Sequence, residues 1–217
     1  MYAHADLYFS RSCCLALVFE VEEYDLLALP PRNTKKEHLI TAKIYAQSYF
    51  FIGTIMTFFS NMLAFLYLKE YTGVGFQDLV FSFGNVPIDK LKEGVSEWDF
   101  YNKHVYTAQC VCFVALVVMQ WGNILSVRNR RLSILQASPF QKERHNLWLF
   151  GGIFLSFMIA VFVTEVPSIQ NVMLTTSVPL KYWLLPIPCA VFILMADETR
   201  KLIVRSYPKG FLARIAP

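Results

Sequence analysis

The chain has 217 residues, of which 55% are hydrophobic and 17% charged, with a mean hydropathy of +0.41 and a formal net charge of +4. A soluble domain of this length would not need apolar runs as long as those found here, so composition sets that class aside. The positive charge is not a nucleic-acid signal either, because the basic residues gather beside the apolar runs rather than on one patch.

In chain order, Tyr2–Leu17 mixes His4, Asp6, Arg11 and Cys13–Cys14 with apolar residues. It lacks the basic start and clean apolar stretch of a signal peptide. Leu29-Pro30-Pro31-Arg32-Asn33 then breaks any helix. Four apolar runs follow, at Tyr45–Leu68, Val105–Val127, Leu147–Val166 and Val178–Ala196. Each is near the ~20 residues a helix needs to cross a bilayer. Basic residues cluster before the first run (Arg32, Lys35, Lys36, Lys43), between the second and third (Arg128, Arg130, Arg131, Lys142, Arg144) and after the fourth (Arg200, Lys201, Arg205, Lys209, Arg214). The positive-inside rule places all three clusters in the cytosol. The expected fold is therefore an all-α membrane protein with four transmembrane helices and both termini cytosolic. A cytosolic lead-in occupies 1–44, a four-helix membrane domain 45–196 and a basic cytosolic tail 197–217. Within the membrane domain, loop 69–104 is extracytosolic and loop 128–146 cytosolic.

Within the runs, Gly53, Ser60 and Asn61 give the first a face suited to helix packing, and Gly151-Gly152 allows close approach in the third. Gln120 and Asn123 lie three residues apart on one helical face. Amides at membrane depth face the protein interior or a polar cavity, so they serve interhelical hydrogen bonding or ion coordination. Pro186 and Pro188 are expected to break the fourth run, and Asp197 and Glu198 to pair at the interface with Arg200 or Lys201. Arg130-Arg131-Leu132-Ser133 makes Ser133 a candidate for regulatory phosphorylation. The five cysteines read as buried thiols, not as a disulfide framework or zinc site. No Gly-rich phosphate loop, HExxH or Gly-x-Ser-x-Gly occurs.

Several ordered segments resemble one family. Pro31-Arg32-Asn33, Leu39-Ile40 and Tyr45-Ala46-Gln47 precede or open the first run. Val117-Val118-Met119-Gln120-Trp121-Gly122-Asn123 is followed by Asn129-Arg130-Arg131-Leu132-Ser133. Pro179-Leu180-Lys181 and Asp197-Glu198-Thr199-Arg200-Lys201-Leu202-Ile203 complete the set. Together they resemble spans seven to ten of the α-subunit of sodium/potassium-type P-type cation pumps, over about Leu15 to Pro208. The resemblance implies a sodium or potassium ion near Gln120 and Asn123, and docking of a glycosylated β-subunit around Gly94, Ser96 and Trp98. It also implies a plasma-membrane location, in contact with lipid and with the other domains of a pump, where ATP and magnesium act. The cofactors are not expected in this chain, because the Asp-Lys-Thr-Gly-Thr phosphorylation motif does not occur in it. Asn123 stands where the family has Asp, and the family's paired ninth-span glutamates fall near Phe154 and Leu155. The chain is thus expected to support ATP-driven monovalent cation transport as a piece of a pump, without being catalytic alone. The alternative expectation is a stand-alone four-span regulatory or assembly partner, without ATPase activity; a four-span channel or carrier comes third.

Overall fold

The computed structural model describes residue 15 and residues 17–20, 41–80, 90–129, 133 and 146–207. Most of the lead-in, Cys13–Cys14, the Arg130–Arg131 pair and the tail beyond Tyr207 lie outside the described residues. So do the resembling segments Pro31-Arg32-Asn33 and Leu39-Ile40.

The described residues are helical, without strands. Helix α1, Ala42–Thr72, is continuous but passes through a π-helical segment at Ala46–Gly53. It ends at Gly73, whose φ of 85° is left-handed and whose N–H reaches the Lys69 carbonyl. A Cβ at Gly73 would also stand 2.9 Å from the Lys90 carbonyl oxygen, so the turn is fitted to glycine twice over. A short helix α2, Phe76–Leu79, follows. Lys90 and the Gly75 N–H both bind the Asp78 carboxylate and hold it below the usual carboxylate range. Helix α3, Glu97–Val127, starts eight residues before the apolar run, because Ser96 caps it: the Asp99 N–H donates to Ser96 Oγ at 3.1 Å.

Helix α4, Leu147–Glu165, is capped by Asn146, whose Oδ1 accepts from the Leu149 N–H. Helix α5, Pro167–Met173, has proline in its first turn and closes at Leu174 with a φ of 55°. Helices α6, Lys181–Leu184, and α7, Pro186–Ser206, form the last part. The expected break in the fourth run does occur, but at Leu185. Pro186 and Pro188 fall in the first turn of α7, where no intrahelical N–H is lost, so neither kinks a helix interior.

Among the described residues, three helices, α1, α3 and α4, are long and apolar enough to cross a membrane. Helix α7 is of similar length but carries Asp197, Glu198, Arg200, Lys201 and Arg205. It lies displaced towards the charged end of the apolar run, which is why it falls outside that class. Helix α3 is the axis of the packing: it contacts both α1 and α7 extensively, and α4 more lightly. Val111, Val114, Ala115, Val117 and Met119 of α3 are almost wholly buried. Helix α4 instead exposes Phe154, Leu155, Met158 and Phe162. Ser60 Oγ donates to the Cys112 carbonyl at 3.0 Å and joins α1 to α3. Asn61, expected on the same packing face, is exposed and bonds the Thr57 carbonyl of its own helix. Cys110 and Cys189 are buried as free thiols.

Candidate functional site

Two polar clusters and one polar groove organise the ends of this bundle. At one end, Lys181 Nζ and the Tyr182 hydroxyl donate to the Glu70 carboxylate, each at 2.7 Å. Tyr67 packs edge-on against Tyr182 and stacks on Tyr71. These contacts clamp the end of α1 to α6. At the opposite end, Ser126 Oγ donates to Asp197 Oδ2, and Lys201 Nζ donates to the Ser126 carbonyl at 2.8 Å. Arg200 and Lys201 pair with Asp197 at 2.7 and 3.0 Å, and Lys201 lies 3.4 Å from Glu198. The expected pairing of the Asp-Glu step with Arg200 and Lys201 is thus present. Its burial was not foreseen: Asp197 is 2% exposed and Lys201 4%. Glu20 joins the same end, accepting from Arg128 Nε at 2.5 Å and from Asn146 Nδ2 at 3.0 Å.

The groove contains the amide pair. Asn123 Nδ2 donates to Gln120 Oε1 at 3.2 Å, so the two side chains do share a face and touch. They line a cavity of 620 Å³ together with Tyr45 and with Ser48, Tyr49 and Gly53 of the π-helical segment of α1. Here one residue is inserted into the turn, which rotates the polar Gln47–Ser48 step relative to a regular helix. Two amide oxygens, Asn123 Oδ1 and Gln47 Oε1, are buried with no hydrogen-bond partner among the described residues. A buried amide oxygen without a donor costs about 1–3 kcal/mol, so Asn123 Oδ1 leaves a place for a donor in this groove, whereas Gln47 is not among the residues that line it. All of the groove's polar atoms are neutral.

The other sequence-selected residues lie apart from it. Gly94 sits in a left-handed turn (φ 92°) with open space around its Cα, and Ser96 is used as the α3 cap. Trp98 is 71% exposed, a large aromatic presented outward. Ser133 is buried, and its Oγ donates to Glu198 Oε2 at 2.6 Å. A phosphate there would meet the Glu198 carboxylate as well as Lys201, so the serine is held in the closed end and not offered on a surface. Among the described residues, no three His, Cys, Asp or Glu side chains come together as a metal site. Gly151 faces open space, whereas a Cβ on Gly122 would stand 2.6 Å from the Ala190 carbonyl oxygen. A close helix approach among the described residues is at Gly122, and Gly152, unlike Gly151, is buried.

Several known proteins are similar to this chain over nearly its whole length. The α-4 subunit of the sodium/potassium-transporting ATPase of Homo sapiens is 26% identical over 205 residues, covering 92% of this chain and 19% of that protein. The corresponding Rattus norvegicus subunit is 23% identical over 92% of this chain and 20% of its own. The potassium-transporting ATPase α chain 1 of Xenopus laevis is 28% identical over 199 residues, 89% of this chain and 19% of that one. The chain thus spans about a fifth of the length of the curated relatives it matches. The family model for the C-terminus of cation-transporting ATPases matches residues 5–203, and with the apolar helices and the ordered motifs above it, the chain belongs to that family as a multi-pass membrane protein.

Proposed function

We propose that this chain is the membrane-embedded C-terminal domain of a sodium/potassium-type pump in the plasma membrane. It supports ATP-driven movement of a monovalent cation and carries no catalytic residue of its own. Nucleotide, magnesium and the phosphorylated aspartate belong to other domains of such a pump. In this reading α6 and α7 together make a fourth crossing. The apolar stretch from Tyr182 to Ala196 is short for a bilayer, and Lys181 and Arg200 at its ends reach the two interfaces. The three basic clusters then place both termini in the cytosol.

The observation that carries the proposal is the groove beside Asn123, where the buried Asn123 Oδ1 has no hydrogen-bond partner among the described residues. In the pump Asn123 Oδ1 faces the ion-carrying helices, and Gln120 and Asn123 neighbour a sodium or potassium ion. The rest of the bundle, tied at both ends by ion pairs, is the rigid support behind them. Trp98 is the anchor for a β-subunit, with Gly94 and Ser96 shaping the turn that presents it. The test is a hybrid α-subunit carrying this segment in place of its own, with and without Gln120→Ala. The expected result is a lower apparent sodium affinity of ATP hydrolysis in the variant, about threefold to tenfold for one lost neutral ligand. An unchanged sodium dependence removes Gln120 from the ion's surroundings.

A further inference from the structure

We infer that Glu20 is a positioning residue of the amide groove: it acts through Leu17, which it holds in place as a wall that keeps water from the groove beside Asn123. The inference rests on the reading above that this groove receives a cation. Leu17 lines the same cavity as Gln120, Asn123, Ile124 and Val127. It also packs on the buried pair Ile124 and Leu149, one from α3 and one from α4. An apolar side chain binds no ion, so its part in the wall is to exclude water.

Leu17 sits in a single 3₁₀ turn, Leu17–Phe19, too short to have a core of its own. The Glu20 N–H donates to the Leu17 carbonyl at 3.2 Å, so the two residues move together. The Glu20 carboxylate accepts from Arg128 Nε at 2.5 Å and from Asn146 Nδ2 at 3.0 Å, which ties the turn to the end of α3 and to the cap of α4. The Arg128 side chain is 1% exposed and that of Glu20 12%, so water competes little for either charge. Phe19 adds a stacked contact with Trp148, at 5.1 Å between ring centroids. The wall matters because the groove is neutral. A dipole holds a cation far better at low effective dielectric than in water, so a site made of amides depends on being dry.

The test is alkylation of the full chain carrying Ile124→Cys by iodoacetamide in detergent micelles, with each thiol read separately by peptide mass spectrometry. Position 124 is buried against Leu17, and the native Cys110, fully buried in the other apolar cluster, reports loss of the fold. Glu20→Gln should raise the rate at position 124 about tenfold, because labelling follows the population in which the wall is open. Arg128→Gln should do the same; an increase with Glu20→Gln alone would be an effect of the unpaired guanidinium on the thiol and would overturn the inference. Leu17→Ala should raise the rate at least as much with the ion pair intact. The double variant Leu17→Ala/Glu20→Gln should then be no faster than Leu17→Ala, since Glu20 has no wall left to hold. Additive effects would make Glu20 a tie unconnected to Leu17. An unchanged rate in Glu20→Gln, or equal acceleration at Cys110, overturns the inference as well. The cation is read separately, by the sodium titration of Gln120→Ala. An unchanged sodium dependence there, with labelling as expected, removes the ion from the groove and leaves the hold of Glu20 on Leu17 standing.

Discussion

Replacing Gly122 with alanine is the sharpest test of the packing. The new Cβ would lie 2.6 Å from the oxygen, 3.0 Å from the carbon and 3.1 Å from the Cα of Ala190, all backbone atoms that no rotamer change can move. Ordinary carbon–oxygen contact is about 3.3–3.6 Å, so α3 and α7 must part by close to 1 Å. Overpacking of this kind costs about 1–3 kcal/mol, and the better helix propensity of alanine returns up to ~1 kcal/mol. A net loss of about 1–2 kcal/mol remains, a factor of about 5–30 in the folded population. The loss is transmitted, because Ser126 and Asp197, one and two turns further along the same pair of helices, are joined by a short hydrogen bond. Gly151→Ala is the matched control: it meets nothing within 4 Å and should be neutral or stabilising by up to ~1 kcal/mol. Denaturant unfolding in micelles, followed by the fluorescence of the four tryptophans, measures both. If Gly122→Ala were as stable as the native chain, or less harmful than Gly151→Ala, the close crossing of α3 and α7 would be wrong.

Removing one member of the buried cluster, as in Lys201→Met, should cost about 3–5 kcal/mol, since it strips Asp197 of one of its two cations and leaves the Ser126 carbonyl without its ammonium donor; a loss below ~1 kcal/mol by the same unfolding assay refutes its structural role. Ser133→Glu should lower the melting temperature more than Ser133→Ala, because it sets a second carboxylate against Glu198; equal effects would mean the serine is free to turn outward. Trp98→Ala should leave unfolding unchanged while reducing capture of a pump β-subunit, and unchanged capture moves the docking surface elsewhere. On native membranes, an antibody against residues 200–217 should detect a band several-fold heavier than 25.0 kDa, whereas a 25.0 kDa band alone supports a stand-alone partner.

The helices were legible where hydropathy alone decides them. The run Val105–Val127 coincides with the regular part of α3, and Leu147–Glu165 with the third run less one residue. Their extensions were not, because Glu97–His104 is polar and aromatic and continues the helix only through the Ser96 cap. The Ser-x-x-Asp spacing is a visible signal of that cap, overlooked beside the apolar runs. The shift of α7 was hidden for a related reason. Charges at Asp197 and Lys201 look interfacial in one dimension, yet four residues apart on a helix they neutralise each other and enter the interior against Ser126. The Glu20 clamp joins residues more than a hundred positions apart, and nothing local announces it. Of the candidate site, the touching amide pair was legible from its i, i+3 spacing. The π-helical segment that lines the same groove with Ser48, Tyr49 and Gly53 was not, because an inserted residue leaves no mark on hydropathy.

The formal charge of the proposed ion surroundings separates this chain from the pattern that the family resemblance implies. Where that pattern has paired glutamates, Phe154 and Leu155 are 64% and 50% exposed, on the free face of α4. A carboxylate there would contribute nothing to the groove beside Asn123, which lies against α1. With Asn123 itself neutral, the groove offers dipoles but no charge, and neutral oxygens hold a cation less tightly than carboxylates do. Asn123→Asp in the hybrid α-subunit is therefore expected to raise apparent sodium affinity, not merely to preserve it. The added charge would need the ion or a proton to be stable at that depth, so the gain should shrink as the pH falls and the aspartate becomes protonated. Sodium titrations of ATP hydrolysis at two pH values measure both effects. An affinity that is unchanged by Asn123→Asp at either pH would place the cation away from this face and leave Asn123 Oδ1 as a site for a neighbouring helix alone.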